Sequence, residues 1–82
     1  MTTPAIVHLQ RQRMTAVSRE NLRLADRLQL VDLGEGEIGI RAWKGEAAAM
    51  VNTSEGPARY PNEAAARRAA RRVRPDLALS SF

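Results

Sequence analysis

The chain has 82 residues, no cysteine and one histidine, and its 13 Lys and Arg residues against nine Asp and Glu residues give a net charge of +4. This length allows one small domain over residues 1–82, and the composition excludes disulfides, thiolate metal sites and histidine clusters. No apolar run approaches the roughly 18 residues that a membrane span needs. We therefore expect a soluble cytoplasmic protein with no membrane partner, no metal and no cofactor.

Residues 1–17 do not predict one secondary structure. Thr3 and Pro4 are typical of a helix start, because threonine can cap a helix and proline suits the first helical position. The apolar run that follows them would also suit a strand. Ser18 is a second candidate cap, and the spacing of the apolar residues behind it predicts a helix over residues 18–27.

After this helix the apolar period changes to two, which predicts strands. In residues 28–33 apolar side chains alternate with Gln29 and Asp32, and residues 38–43 have an aliphatic face and a mixed face with Gly39, Arg41 and Trp43. The glycine-rich segment 34–36 separates the two strands as a hairpin turn. A tight turn at residues 44–45 favours a third antiparallel strand within residues 46–53, although the alanines there would also suit a helix. Loop-forming residues then end the sheet.

The last helix has the clearest signals. Pro61 or Asn62 marks its start, and the pair Arg74-Pro75 marks its end. Residues 75–82 form a short tail whose Leu77, Leu79 and Phe82 dock on the core or fray. The predicted fold is α+β, with an N-terminal helix, a three-stranded antiparallel sheet and a C-terminal arginine-rich helix packed on one face.

Arginine is concentrated in this last helix. Its alanines and Val73 fall on one side, which we expect to lie against the sheet. The arginines then form two rows, one with Arg67, Arg71 and Arg74 and one with Arg68 and Arg72. Guanidinium groups one helical turn apart, about 5.4 Å, can contact successive phosphates or carboxylates through planar forks. The alternative is a solvated face that keeps a small protein in solution.

A second candidate contact lies on the second predicted strand. Trp43 is the only tryptophan, and Arg41 and Lys44 flank it on the face opposite the aliphatic residues. An exposed tryptophan between two cations could stack on a base or anchor a protein contact. Alternatively, Trp43 covers the sheet edge or packs under the first helix.

The sequence offers no catalytic constellation. One histidine, His8, cannot supply the base of a triad without a nucleophile and an orienting group at a suitable spacing. The letters Gly34-x-Gly36-x-x-Gly39 match a dinucleotide-binding loop, but they lie between two predicted strands and not between a strand and a helix. We therefore interpret them as a hairpin turn and expect a protein that is not an enzyme.

Two family resemblances concern the fold. The predicted order of helix, three strands and helix over residues 18–74 resembles the double-stranded RNA-binding domain, which implies phosphate contacts at the start of the last helix. That family opens this helix with lysines, whereas here residues 62–65 contain none and the arginines follow one turn later. The segments IGIRAWKG at 38–45, TSEG at 53–56 and AAA at 64–66 resemble the strand–turn–strand–helix unit of YegP-like domains.

In size, alanine and arginine content and lack of cysteine, the chain also resembles accessory proteins of phages and mobile elements, including anti-CRISPR inhibitors. We predict a non-catalytic binder of nucleic acid or of a nucleoprotein complex that acts through the helix arginines. The resemblance implies the alternative of an inhibitor, in the host cytoplasm if phage-encoded, that occludes a host defence complex by contact with an acidic protein surface. A third alternative is a homodimer in which each copy buries the other's exposed sheet face.

Overall fold

The computed structural model describes residues 13–81, and the predictions for Thr3, Pro4, His8 and Phe82 concern residues outside that range. The helices and strands in this range are α1 (Ala16–Leu24), β1 (Arg27–Gly34), β2 (Glu37–Lys44), β3 (Ala47–Met50), β4 (Asn52–Thr53), β5 (Gly56–Pro57), α2 (Glu63–Val73) and β6 (Leu79–Ser80). Neither of these two helices has the length and hydropathy that crossing a bilayer requires.

The main sheet has four strands in the order β3-β2-β1-β6. β2 is antiparallel to both β1 and β3, whereas β6 runs parallel to β1 with Leu79 opposite Leu28. β4 and β5 form a separate hairpin within the predicted loop. The α+β class is confirmed. The prediction of a three-stranded antiparallel sheet is incomplete, because the tail after Pro75 returns to β1 and adds a short parallel strand.

A glycine-rich turn joins β1 to β2. Gly34, Glu35 and Gly36 have φ angles of 94°, 57° and 81°, in the left-handed region that glycine adopts at little cost. The Asp32 carboxylate accepts a hydrogen bond from the Gly34 N–H at 2.8 Å and supports the turn. The glycine pattern that begins at Gly34 is thus a hairpin turn, as we expect from its position between two strands.

The first helix begins two residues before the predicted cap. Thr15 is the actual cap, and its hydroxyl accepts a hydrogen bond from the Ser18 N–H at 3.1 Å. Ser18 is 2 % exposed, and its own hydroxyl accepts the Asn52 N–H at 2.7 Å. The prediction that Ser18 caps the helix is wrong, because this side chain is needed to satisfy a backbone group of β4. The helix also ends earlier than predicted, since Arg27 already belongs to β1.

The core lies between both helices and one face of the sheet. The buried residues of that face alternate along β1 and β2 and are Leu28, Leu30, Ile38, Ile40 and Ala42. From the helices, Leu22, Ala66 and Ala70 pack against them, and the small alanine side chains let α2 approach the sheet closely. The prediction that Val73 is buried is wrong. Val73 is 41 % exposed, because it borders a groove between the two helices instead of the sheet.

The tail docks on the core in part. Leu77 and Leu79 pack against the buried cluster, and the Leu28 N–H donates to the Ala78 carbonyl at 3.0 Å. Of the two alternatives predicted for Leu77 and Leu79, the structure therefore has the docked one.

Candidate binding surface on the last helix

Sequence signals at both ends define α2. The Asn62 side chain caps the helix by accepting a hydrogen bond from the Ala65 N–H at 2.8 Å. Glu63 lies in the first turn, where a carboxylate interacts favourably with the helix dipole. Pro75 stops the helix because the residue before a proline is forced out of helical geometry, and Arg74 is the C-cap. The predicted start and end of this helix are confirmed.

Three arginines occupy the solvent side of α2. Ala66 and Ala70 are at most 2 % exposed, and at 3.6 residues per turn Arg68, Arg71 and Arg72 project from the opposite side of the helix. All three are exposed, and within residues 13–81 none of them makes a hydrogen bond or an ion pair. We call Arg68, Arg71 and Arg72 the arginine face.

Arg67 is bonded within the protein. Its guanidinium forms an ion pair with Glu63 one turn earlier, with 2.8 Å between Nη2 and Oε2, and it also donates to the Ser81 hydroxyl. The hydrogen bond from Arg67, together with one from Ser81, holds the pKa of the Glu63 carboxyl below its ordinary value. Arg67 therefore links the helix to the tail, and its charge is compensated there.

Arg74 joins the end of α2 to the end of α1. Its Nη1 donates to the carbonyl oxygens of Leu22, Arg23 and Ala25 at 2.8, 3.0 and 3.2 Å. Carbonyls at a helix end lack the N–H of a following turn, and the Leu22 carbonyl has only a long 3.4 Å bond from the Ala25 N–H, so Arg74 supplies donors that would otherwise come from water. Its Nε and Nη2 bond Asp76, and this hydrogen bonding lowers the pKa of that carboxyl.

The two predicted rows of arginines are therefore not the observed grouping. Helical spacing places Arg71 in a row with Arg67 and Arg74, but it lies with Arg68 and Arg72 on the arginine face. Arg67 and Arg74 differ from the arginine face because they bond acidic side chains and, for Arg74, backbone carbonyls. Helical spacing alone does not reveal those partners.

Trp43 lies on the open face of the sheet, opposite the helices. Its Nε1 donates to Gln29 Oε1 at 3.0 Å, and the guanidinium carbon of Arg27 is 4.3 Å from the ring centroid, within cation–π distance. The strand register places Arg27 directly opposite Trp43. Arg27 thus covers a ring face that a base would need for stacking, and the ring packs on β1 instead of under α1.

The other two residues of the predicted second contact lie beside Trp43. Arg41 donates through Nη1 to the same Gln29 oxygen at 3.5 Å, and Lys44 is exposed at the end of β2. The arginine face is on the far side of the helix layer. The structure therefore does not bring the two predicted sets of residues together in one surface.

Sequence reasoning missed Arg27 and Gln29 as the partners of Trp43. Counting back from a turn at residues 35–36 would be wrong by one residue, because the register shifts between Asp32 and Gly34. The signal that could have found the partners is the match of the two aliphatic faces, since Leu30 opposite Ile40 also pairs Arg27 with Trp43.

A groove of about 340 Å³ separates α1 from the end of α2. Its lining residues are Met14, Arg19, Leu22, Arg23, Val73 and Arg74. The arginines around it already have partners, because Arg23 pairs with Glu20, Arg19 donates to the Met14 carbonyl and Arg74 bonds α1. The groove therefore adds no unpaired cation to the arginine face.

Within residues 13–81, no group of three or more His, Cys, Asp or Glu side chains could hold a metal ion. Comparisons with protein-family models, with curated proteins and with solved structures find no match for this chain.

Proposed function

We propose that this protein is a non-catalytic binder of nucleic acid, free or within a nucleoprotein complex, and that the arginine face contacts the phosphate backbone. The observation that carries this proposal is that Arg68, Arg71 and Arg72 share the exposed side of one helix without an ion pair in the described part of the chain. Phosphate oxygens would supply the acceptors, because a guanidinium binds phosphate through two parallel N–H···O bonds.

The charge balance along α2 supports an anionic partner. Glu63 compensates Arg67, and Asp76 compensates Arg74. Arg68 and Arg72 lie one turn apart with Arg71 beside them, so their like charges repel one another. An anion that bridges these side chains removes the repulsion, whereas salt only screens it.

The rigidity of α2 supports the same proposal. Asn62 caps its start, Ala66 and Ala70 pack against the sheet, and Arg74 ties its end to three carbonyls of the neighbouring chain segment. A helix held at both ends keeps its arginines at a fixed spacing. Less conformational freedom is then lost when phosphates bind, which favours affinity.

The proposed contact predicts how steeply the binding affinity depends on salt concentration. Each phosphate neutralised on duplex DNA contributes about −0.9 to the slope of log K against log salt, so three arginines predict a slope of about −2.7. Affinity should therefore fall about 40-fold between roughly 50 and 200 mM salt. Contacts to phosphate alone carry no sequence information, so binding should depend little on sequence.

Titration of mixed-sequence duplex and single-stranded DNA and RNA with the full chain tests the proposal. Arg68→Gln with Arg72→Gln should weaken binding at low salt by more than about tenfold, because two of three phosphate contacts are lost. Arg19→Gln with Arg23→Gln removes the same charge from exposed positions of α1 and is the matched control. This control should bind within about threefold of the unchanged protein, since only the long-range field alters.

Two results would contradict the proposal. Absence of binding to every nucleic acid at low salt would exclude direct phosphate contact and leave an acidic protein surface as the partner class to test. Equal loss in both double variants would show that net charge, and not the arginine face, determines binding.

A further inference from the structure

β3 is an edge strand whose outer side is open. Within residues 13–81, its neighbour in the sheet is β2 alone. The Val51 N–H donates to the Ile40 carbonyl at 2.9 Å, and backbone groups alternate in direction along an antiparallel strand. Ala49 therefore faces β2, while Ala48 and Met50 direct their N–H and C=O groups outward. Outward backbone groups of this kind are a template for another strand.

α1 covers the backbone of Asn52, which continues this edge after the end of β3, but it leaves β3 itself uncovered. The Asn52 N–H donates to the Ser18 hydroxyl at 2.7 Å, and the Asn52 carbonyl accepts from the Thr15 N–H at 2.9 Å. The turn at residues 45–46 bounds the other end. The open stretch is therefore as long as β3 itself. β3 also contains no lysine, proline or bulge of the kind that protects edge strands.

Two exposed apolar residues of α1 lie on the side of the helix that borders this open edge. Val17 is 70 % exposed and Leu24 is 41 % exposed, and residues seven apart lie on the same side of a helix. A groove of about 200 Å³ is lined by Leu24 and Asn21 of α1 together with Ala47, Ala49 and other residues of the β2–β3 hairpin. Val17, Leu24 and the open edge of β3 thus lie on one side of the molecule, with Glu20 and Asn21 between the two apolar side chains.

We propose that a second copy of this chain covers this surface. β3 pairs antiparallel with β3 of the second copy about a two-fold axis at Ala49. Ala48 of each copy then lies opposite Met50 of the other, and each such pair exchanges both backbone hydrogen bonds. The two four-stranded sheets become one continuous sheet.

The geometry of α1 makes the surface complementary to itself. α1 runs antiparallel to β3, with Thr15 beside Asn52 and Leu24 beside Ala47. The two-fold axis therefore brings Val17 of each copy against Leu24 of the other and buries both apolar side chains.

Charge also favours a second copy. Glu46, in the turn before β3, would lie at the start of the second copy's α1. The first turn of α1 contains no acidic residue of its own, and a carboxylate at that end of a helix is stabilising.

The proposed dimer does not rest on the proposed function. It has one consequence for nucleic-acid binding, because a two-fold axis perpendicular to the sheet leaves both helix layers on the same side. The arginine faces of the two copies would then form one surface, and the salt dependence per dimer would be about twice that per chain.

Sedimentation equilibrium of the full chain over a range of concentrations tests the dimer. The unchanged protein should be a dimer, and Leu24→Glu should raise the dimer dissociation constant more than about tenfold, because it buries an unpaired charge. Val73→Glu is the matched control, since Val73 is also the last residue of its helix and is also 41 % exposed. This control should leave the dissociation constant unchanged.

A second pair of variants tests the strand pairing. Ala48→Pro removes an outward N–H without removing a hydrogen bond to β2 and should give a folded monomer, whereas Ala48→Thr keeps the N–H and should remain a dimer. In the unchanged protein, the Ala48 and Met50 amides should exchange slowly with solvent. If the unchanged protein is a monomer, the inference is overturned, whether its Ala48 and Met50 amides exchange slowly or rapidly with solvent. A dimer that survives both Leu24→Glu and Ala48→Pro would overturn it as well.

Discussion

The guanidinium Nη1 of Arg74 lies 2.8 Å from the carbonyl oxygen of Leu22, although the two residues are 52 positions apart in the chain. The same nitrogen also bonds the carbonyls of Arg23 and Ala25, where α1 ends. Arg74 therefore holds the two helices together, and its guanidinium is occupied before any partner arrives. Arg74 is therefore not part of the arginine face, because its guanidinium is bonded within the protein.

Replacement of Arg74 should mainly affect stability. Arg74→Ala removes the guanidinium that bonds the helix-end carbonyls and leaves Asp76 without its cation, so we expect the thermal midpoint to fall by several degrees. Arg71→Ala, on the arginine face, should leave the midpoint nearly unchanged, as surface substitutions usually do. Thermal unfolding followed by circular dichroism measures both variants. Equal effects of the two substitutions would contradict the conclusion that Arg74 holds the two helices together.

Gly39 leaves the space in which Met50 reaches across the open sheet face. An added Cβ at this position would lie 3.0 Å from Met50 Cε and 3.1 Å from Leu33 Cδ1. Gly39→Ala should therefore lower the free energy of unfolding by about 1 kcal/mol, the low end of overpacking costs, because flexible side-chain ends can shift. Urea denaturation gives this value.

A second variant identifies the cause of that loss. In a Met50→Ala background, the cost of Gly39→Ala should be smaller, since the nearest contact is removed. The same cost in both backgrounds would show that the Met50 contact is not responsible.

Acid should weaken the links that α2 makes to its surroundings. Hydrogen bonds from Arg67 and Arg74 lower the pKa values of Glu63 and Asp76 in the folded protein. A lowered folded pKa gives stability that is present above the ordinary values of 4.5 and 3.8 and is lost as the pH falls through the folded values. The thermal midpoint should therefore fall as the pH drops below about 4.5.

The variant Glu63→Gln with Asp76→Asn removes both carboxylates and should make this acid dependence shallower. Thermal unfolding at a series of pH values measures it. An unchanged pH profile in the double variant would contradict the role of these two pairs.

Trp43 should not report nucleic-acid binding. It lies on the open face of the sheet with Arg27 over its ring, and the arginine face lies beyond the helix layer. Titration with single-stranded nucleic acid should therefore leave tryptophan emission nearly unchanged, whereas Arg27→Ala should alter it. Strong quenching on titration would indicate base stacking on Trp43 and would contradict this arrangement.

The parts of the fold that local signals specify could be predicted from the sequence. The turn at Gly34 and the alternation around it specify the β1–β2 hairpin, and Asn62 and Pro75 specify α2. β6 could not be predicted, because two residues have no recognisable period and their pairing depends on where the chain returns after α2. The prediction for Ser18 is wrong because its hydroxyl, which could cap a helix, instead accepts the Asn52 N–H.

The candidate site could be predicted only as a group of residues. Sequence spacing identified the helix arginines, and the pair Arg67 and Glu63 was visible at i, i+4. The bond from Arg74 to α1 was not visible, since no local pattern connects residues 52 positions apart. The division between bonded and solvent-facing arginines therefore needed the tertiary structure.

The salt dependence of nucleic-acid binding, for the unchanged protein and for the triple variant Arg68→Gln, Arg71→Gln and Arg72→Gln, tests the central claim most directly. The arginine face predicts a slope of log K against log salt of about −2.7 per chain, and its loss should bring the slope close to zero. A triple variant that folds normally and keeps the full slope would contradict the claim, because the phosphates would then be held by other residues.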